Sequence, residues 1–338
     1  MPTEPIPQPR RSFLKTLGAA GAGIVIGRPS SSGLAAEASK IGPVPTRTFG
    51  RYAEKVSSLC LGGATLARAE SLDAAKQIVD AAIDYGVTFF DNAWEYSKGK
   101  AEDWMGTALQ GKRDKVFLMT KVCTHNPGQT GKQQALTMLE ESLRRLKTDH
   151  LDLWQVHQIL TDEEADSIFI PDGVLEAIAQ AKKDGKIRYC GFTGHARPKV
   201  LLRVLAHHYQ FDSIQMPLSV LDAHDDGFQR EVLPEAQKQG LAVLAMKTLG
   251  GNGKPIQDGL VTAEECLRYS LSLPVTTVVC GIDKLEYLKT NARIVANFKP
   301  MTAPEMAALA QRCADKKQYE YYRKWAYRDS EPGRSLYA

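Results

Sequence analysis

Eight times between residues 56 and 295, a short apolar strand-like run gives way to a helix-patterned segment, with no Gly/Ser-rich linker between units. The strand-like runs are 56–63, 88–93, 116–122, 151–157, 187–193, 213–217, 241–247 and 277–281. The helical segments are 72–85, 101–110, 133–146, 173–183, 199–206, 229–239, 263–271 and 285–295. In the third of these, Leu136, Leu139, Leu143 and Leu146 mark one apolar face. Strands that alternate with helices pair in parallel, because a crossover of helix length is needed to bring the chain back to the same edge. Eight such units match the size of a single (β/α)8 TIM barrel, about 250 residues. A doubly wound sheet normally has fewer strands and a glycine-rich turn after the first, of which Leu61-Gly62-Gly63-Ala64-Thr65 is only a faint version. The expected organisation is a barrel domain over 39–300 and a helical, aromatic extension over 301–338. That extension has a helix after Pro304 and then Tyr319, Tyr321, Tyr322, Trp325 and Tyr327, a cluster suited to capping the barrel or to a subunit contact.

The amino terminus is built differently. Pro9-Arg10-Arg11-Ser12-Phe13-Leu14-Lys15 precedes a mildly apolar run over 16–26, and Ala36-Glu37-Ala38 offers a small-residue cleavage site. Charged, apolar and small-residue zones in that order make 1–38 a signal peptide, and the arginine pair resembles a twin-arginine export signal. The apolar run is well short of the ~20 residues that cross a membrane, so no stable membrane anchor is expected. The reading places the protein in the periplasm or otherwise outside the cytoplasm, with the twin-arginine export machinery as a partner. Arg10, Arg11, Lys15 and Arg28 against Glu4 and Glu37 carry half of the chain's formal net charge of +4, and nothing suggests a nucleic-acid partner. Six cysteines form no CxxC pair and read as free, buried, inert thiols. A chain without a disulfide framework can fold before export, as twin-arginine cargo does.

Four chemically active side chains fall at or just past the carboxyl ends of three consecutive strands. Asp91 closes Thr88-Phe89-Phe90-Asp91, Tyr96 follows in the loop, Lys121 closes the next run and His157 the one after. In a parallel barrel that rim is where chemistry happens. A tyrosine, with its pKa near 10, is a weak acid at neutral pH unless a cation stabilises its phenolate. Lys121 supplies the cation, and Asp91 is its counter-ion. His157 orients a carbonyl oxygen or shares the proton. The group is a proton donor and an electrostatic clamp for an oxygen that becomes negative, with no nucleophile and no complete set of metal ligands. Such a site needs an external electron pair, for which the hydride of a nicotinamide is the obvious source. Trp94 and His125 lie close by, as pocket lining or as packing.

Phe89-Phe90-Asp91-Asn92, Tyr96 five residues after the aspartate, Thr120-Lys121 and Val156-His157 resemble the tetrad of the aldo/keto reductase family in order and strand placement, over about 46–295. The resemblance implies NADPH-dependent reduction of an aldehyde or ketone, with Tyr96 as the acid. It implies that Thr193 and Gly194 in Gly191-Phe192-Thr193-Gly194-His195, together with Gln215, hold the nicotinamide carboxamide. Gly194 departs from the family's asparagine. Met246 stands where a tyrosine usually stacks on the nicotinamide. Gly63, Lys247 and Leu249, the last opening the loop Leu249-Gly250-Gly251-Asn252-Gly253-Lys254, belong with the cofactor, the loop and Lys247 being suited to the pyrophosphate. Gly281 and Asn291 belong to the adenosine end. The family's basic residues for the 2′-phosphate are missing, since Gly281, Ile282 and Tyr287 occupy their positions, so NAD is admitted beside NADP. The family often shapes its substrate pocket with the carboxyl-terminal segment.

Two other readings are open. A non-catalytic barrel could keep a bound nucleotide for sensing or structure. A metal-dependent hydrolase could use Asp91, His157 and His195, although Cys60-Leu61-Gly62 lacks the His-x-His usual at its first strand.

Overall fold

Eight parallel strands hydrogen-bond in a closed ring in the computed structural model, which describes residues 41–124, 131–195, 197–224 and 227–314. The expected signal peptide over 1–38, His125 and the aromatic cluster beyond 314 lie outside the described residues. A two-stranded antiparallel hairpin, β1 (Thr46–Thr48) and β2 (Lys55–Ser57), precedes the barrel. The barrel strands are β3 (Leu59–Gly62), β4 (Phe89–Asp91), β5 (Phe117–Cys123), β6 (Leu151–His157), β7 (Ile187–Thr193), β8 (Ser213–Pro217), β9 (Ala242–Met246) and β10 (Thr277–Gly281). Each is followed by its principal helix: α1 (Leu72–Asp84), α2 (Lys100–Ala108), α3 (Lys132–Leu146), α4 (Val174–Lys183), α5 (Pro198–Ala206), α6 (Leu233–Lys238), α7 (Ala263–Ser272) and α8 (Leu285–Ala296). A further helix, α9 (Ala303–Cys313), starts the extension, with Thr302 and Glu305 forming its capping box.

The (β/α)8 barrel expected from the alternation is the observed fold. Its strands are buried almost throughout, as strands covered on both faces must be. The outer core lies between strands and helices, and α3 contributes Leu139, Leu143 and Leu146 to it, with Ala135 and Met138 widening the leucine stripe. A second core fills the barrel interior with Phe49, Cys60, Phe89, Phe117, Met119, Leu153 and Leu244 among its members.

Two details differ from the sequence reading. The run 56–63 is two strands, because β2 turns back to pair with β1 beneath the barrel while β3 enters the ring. Phe49, on that hairpin, plugs the barrel floor, with ring centroids 5.0 Å from Phe117 and 4.9 Å from Tyr189. The segment 229–239 opens with a π-helical turn at Phe228–Val232 before α6. Pro234 in the first turn of α6 has no N–H to donate, and both Glu231 and Val232 bond back to the Gly227 carbonyl at 2.8 and 2.7 Å.

Candidate active site

Alternation along the strands selects which side chains enter the barrel. Phe89, Met119 and Leu153 belong to the interior core, so Asp91, Lys121 and, two steps further on, His157 face inward above them. The register brings them level: Gly62 pairs with both Asp91 and Gly281, Cys123 with His157, and Thr193 with Gln215. Hydrophobic floor and polar rim are thus successive layers of one stack.

Asp91, Lys121, His157 and Tyr96 are 2, 1, 4 and 6% exposed. The Lys121 ammonium pairs with Asp91, donates to the Asn92 carbonyl at 2.7 Å and reaches the Tyr96 hydroxyl at 3.3 Å. It also stands 4.9 Å from the centre of the Tyr96 ring. An ammonium this deeply buried is tolerated because its three donors all have acceptors. The Tyr96 ring meets the His157 imidazole edge-on, with centroids 5.5 Å apart. Structure therefore brings together the four residues singled out by sequence.

A loop in unusual backbone geometry presents Tyr96. Ser97, Lys98 and Gly99 take left-handed φ values of 51°, 57° and 90° in succession. Such a run costs free energy and holds only where the surroundings fix it. Here Arg145 of α3 donates to the Trp94 carbonyl at 3.0 Å and lies over the Trp94 ring, while the Trp94 indole donates to Glu141 at 2.7 Å. Arg145 also pairs at 3.2 Å with Glu102, which is fully buried and accepts from Thr120 at 2.6 Å. Burial lifts the Glu102 carboxyl above its usual range, with Thr120, Ser142 and Arg145 pulling the other way.

The residues expected at the cofactor form an arc over β7–β10. Thr193 and Gln215 are buried side by side, and the Thr193 hydroxyl accepts from the Gln158 backbone N–H at 2.8 Å. The side-chain carbonyl oxygens of Gln158 and Gln215 are buried without a hydrogen-bond partner among the described residues. Buried acceptors cost free energy unless paired. A carboxamide NH2 would pair them, so the arc fits a nicotinamide. Gly194 is glycine for a local reason: a Cβ there would stand 2.8 Å from the Ile159 carbonyl oxygen and 2.7 Å from Leu201. Gly63 is similarly packed, with the Asp91 carbonyl 2.5 Å from where a Cβ would sit, so β3–β4 packing alone accounts for it.

Met246, 8% exposed, closes β9. Lys247 follows with a left-handed φ of 59°. Although Lys247 as a whole is only half-buried, burial pushes its ammonium down to about 8; Lys121 adds repulsion and Asp91 attraction. Leu249 opens the loop after it, and Lys254 at the end of that loop pairs with Asp258 at 2.9 Å. Asn291 lies on the buried face of α8, with Leu288, Ala292 and Val295. Gly281 is exposed, Ile282 buried, and Tyr287 exposed beneath the Lys284 ammonium, 5.5 Å from its ring centre. His195 is 6% exposed beyond β7. Among the described residues no three His, Cys, Asp or Glu side chains are grouped to hold a metal ion.

Glu95 escaped the sequence reading. It is buried, and its carboxylate lies 2.7 Å from His157 Nδ1. Its position between Trp94 and Tyr96 was the available signal.

A buried lysine–aspartate pair beside a tyrosine thus lies at the rim of a closed (β/α)8 barrel, and comparison with known proteins gives the class, a carbonyl-reducing oxidoreductase. The sequence model of the Aldo/keto reductase family matches residues 58–254, and the chain belongs to that family. It is 27% identical over 276 residues to the uncharacterized oxidoreductase YqkF of Bacillus subtilis, spanning 70% of this chain and 86% of that one. It is 32% identical over 183 residues to the methylglyoxal reductase YeaE of Escherichia coli, covering 54% of this chain and 59% of the relative. The aldo-keto reductase AKR11C1 from Bacillus halodurans, solved in its holo form, superposes with a TM-score of 0.67 at 27% identity, over 82% of this chain and 99% of its own. Members of the family use nicotinamide cofactors.

Proposed function

We propose that this protein reduces aldehydes or ketones with a nicotinamide cofactor, Tyr96 acting as general acid, Lys121 and Asp91 tuning it and His157 positioning the carbonyl. The observation that carries the reading is the Lys121 ammonium, almost fully buried and bonded at once to Asp91, to the Asn92 carbonyl and to the Tyr96 hydroxyl. As Tyr96 gives up its proton to the carbonyl oxygen, the phenolate that forms is already beside a fixed cation, so no solvent has to reorganise. Bound reduced nicotinamide supplies the electron pair to the carbonyl carbon. Thr193, Gly194, Gln215 and Met246 would hold its ring, and Gly63, Lys247, Leu249, Gly281 and Asn291 the rest of the dinucleotide.

NADP is the cofactor the family leads us to expect, with NAD a close competitor, since Tyr287 stands where the family commonly has an arginine and Lys284 or Lys289 would have to supply the charge. Similarity to a methylglyoxal reductase makes small aldehydes the first substrates to try. Export through the twin-arginine route belongs to the same proposal, and 1–38 is its carrier.

The test is titration of the purified protein with NADPH and NADH, then turnover of methylglyoxal and an aromatic aldehyde. Tyr96→Phe should lower kcat by roughly 10²–10⁴-fold with cofactor affinity kept. Tight cofactor binding with no turnover across a broad carbonyl panel would instead favour the nucleotide-binding barrel that does no chemistry.

A further inference from the structure

The face opposite the catalytic rim holds a cleft of about 490 Å³. Its walls are the turn of the β1–β2 hairpin, the end of α6 with the residues that lead into β9, and the residues that lead into β10. These last two segments enter their strands, whereas Asp91, Lys121 and His157 stand at or near the ends of theirs, so the length of the barrel separates cleft from rim. The walls are fixed to one another. Arg51 donates its backbone N–H to the Gly240 carbonyl at 2.9 Å, and a Cβ on Gly50 would stand 2.5 Å from the Ala242 nitrogen.

Charge in the cleft is unbalanced. Arg47 and Arg51 line it, and none of the described residues that line it is acidic. The Arg47 guanidinium donates to the Leu271 carbonyl in the last turn of α7 and to the Val275 carbonyl beyond it, each at 2.8 Å. Those bonds use two of its five N–H groups and bring no carboxylate. Burial holds Arg47 below its ordinary pKa. Arg51 does meet a carboxylate, Asp212, at 2.7 Å, but Asp212 also pairs with Lys182 at 2.9 Å, and two cations on one anion leave that cluster positive. The side chains of Thr48, Gln237 and Thr276 also line the cleft and make no hydrogen bond among the described residues.

Two guanidinium groups with hydroxyl and amide donors between them suit an oxygen-rich anion. A phosphate answers two cations with up to two charges and three oxygens, where a single carboxylate brings one charge. The space is far larger than a bare ion needs, since a water molecule occupies about 30 Å³ of liquid. Leu241 and Pro274 supply an apolar wall for an organic remainder.

We propose that this cleft binds a small phosphate monoester, its phosphate held by Arg47 and Arg51 with the Thr48 and Thr276 hydroxyls, and its organic part laid against Leu241 and Pro274. The hairpin that forms one wall carries Phe49, the plug of the barrel floor, so the occupant ties that plug to the segments before β9 and β10 and stabilises the barrel from below. Neither the site nor its occupancy depends on the carbonyl chemistry at the other end.

The test titrates the 15N-labelled full chain with phenyl phosphate at physiological ionic strength and follows the backbone amides. Those of Gly50, Gly240 and Thr276 should shift saturably while those of Tyr96 and Lys121 stay in place. Arg47→Gln should weaken the fitted affinity about tenfold or more, as loss of a charge-assisted hydrogen bond does. Because Arg47 also caps α7, Thr276→Val is the gentler variant, close in shape and lacking the hydroxyl, and should weaken it about 2–10-fold. Shifts that never saturate, shifts confined to the catalytic rim, or an affinity unchanged in both variants would overturn the site. Inorganic phosphate bound as tightly as phenyl phosphate would overturn the monoester and leave an adventitious ion only.

Discussion

Lys247 carries the clearest pH signature of any single residue at the rim. Its ammonium is lowered from the ordinary 10.5 to about 8, first by burial and then by Lys121. A cation whose folded pKa is depressed is bound by fewer protons in the native state between pH 8 and 10.5, so it destabilises the free protein fully below pH 8 and progressively less as pH rises towards 10.5. An anionic pyrophosphate beside Lys247 would restore the proton. Binding of NADPH at pH 8 should therefore take up about half a proton, the fraction missing at the midpoint. Calorimetry in buffers of different ionisation enthalpy measures this uptake, and Lys247→Met should abolish it; uptake unchanged in that variant would place Lys247 away from the phosphates. The inward-facing residues were legible from sequence because alternation is rigid: once Phe117 and Met119 are interior, Lys121 must be too. Gly194 and Gly63 were read through cofactor chemistry, yet their packing against Ile159 and Asp91 also explains them. That kind of crowding arises between segments far apart in sequence and has no local signature.

The loop from β4 to α2 is held from outside the barrel, by α3. Arg145 there is only a fifth exposed and serves three acceptors, the Trp94 carbonyl, Glu102 and Glu141. Arg145→Ala would leave the buried Glu102 carboxyl without its cation, a loss of about 3 kcal/mol. Urea denaturation should show that loss, and in a Glu102→Gln background the same change should cost clearly less. Equal costs in the two backgrounds would mean that the pair is not what holds the loop. Helix α3 shows why element-level reading succeeded in part. Its leucine stripe announced the buried face, but the polar residues that brace the Tyr96 loop, Glu141 and Arg145, sit on the other side and look like any solvated helix surface. The hairpin β1–β2 was missed for a related reason: strands of three residues leave too little alternation to separate them from the barrel strand that follows, and only tertiary contact reveals Phe49 as a floor.

At the scale of the molecule, the closed barrel followed from counting units, because eight uninterrupted strand–helix pairs leave few alternatives. What the amino-terminal 38 residues do is a separate question from what the barrel does, and the thiols connect the two. All six cysteines are free and buried, and burial pushes Cys190, Cys266 and Cys280 up to about 12. Thiols of that kind are inert near neutral pH, so the barrel owes nothing to an oxidising compartment and would be complete before any export. A carbonyl reductase exported in that state would have to carry its cofactor with it. Expressed in a bacterium with the twin-arginine machinery, the protein should reach the periplasm folded and release a nicotinamide dinucleotide on denaturation. Replacing Arg10 and Arg11 together by lysine should leave it in the cytoplasm, equally folded and equally loaded. Export that survives the double replacement would sink the twin-arginine route. Arrival without nucleotide would leave the route intact but separate it from catalysis, since a barrel emptied before export has no obvious source of reducing equivalents on the far side.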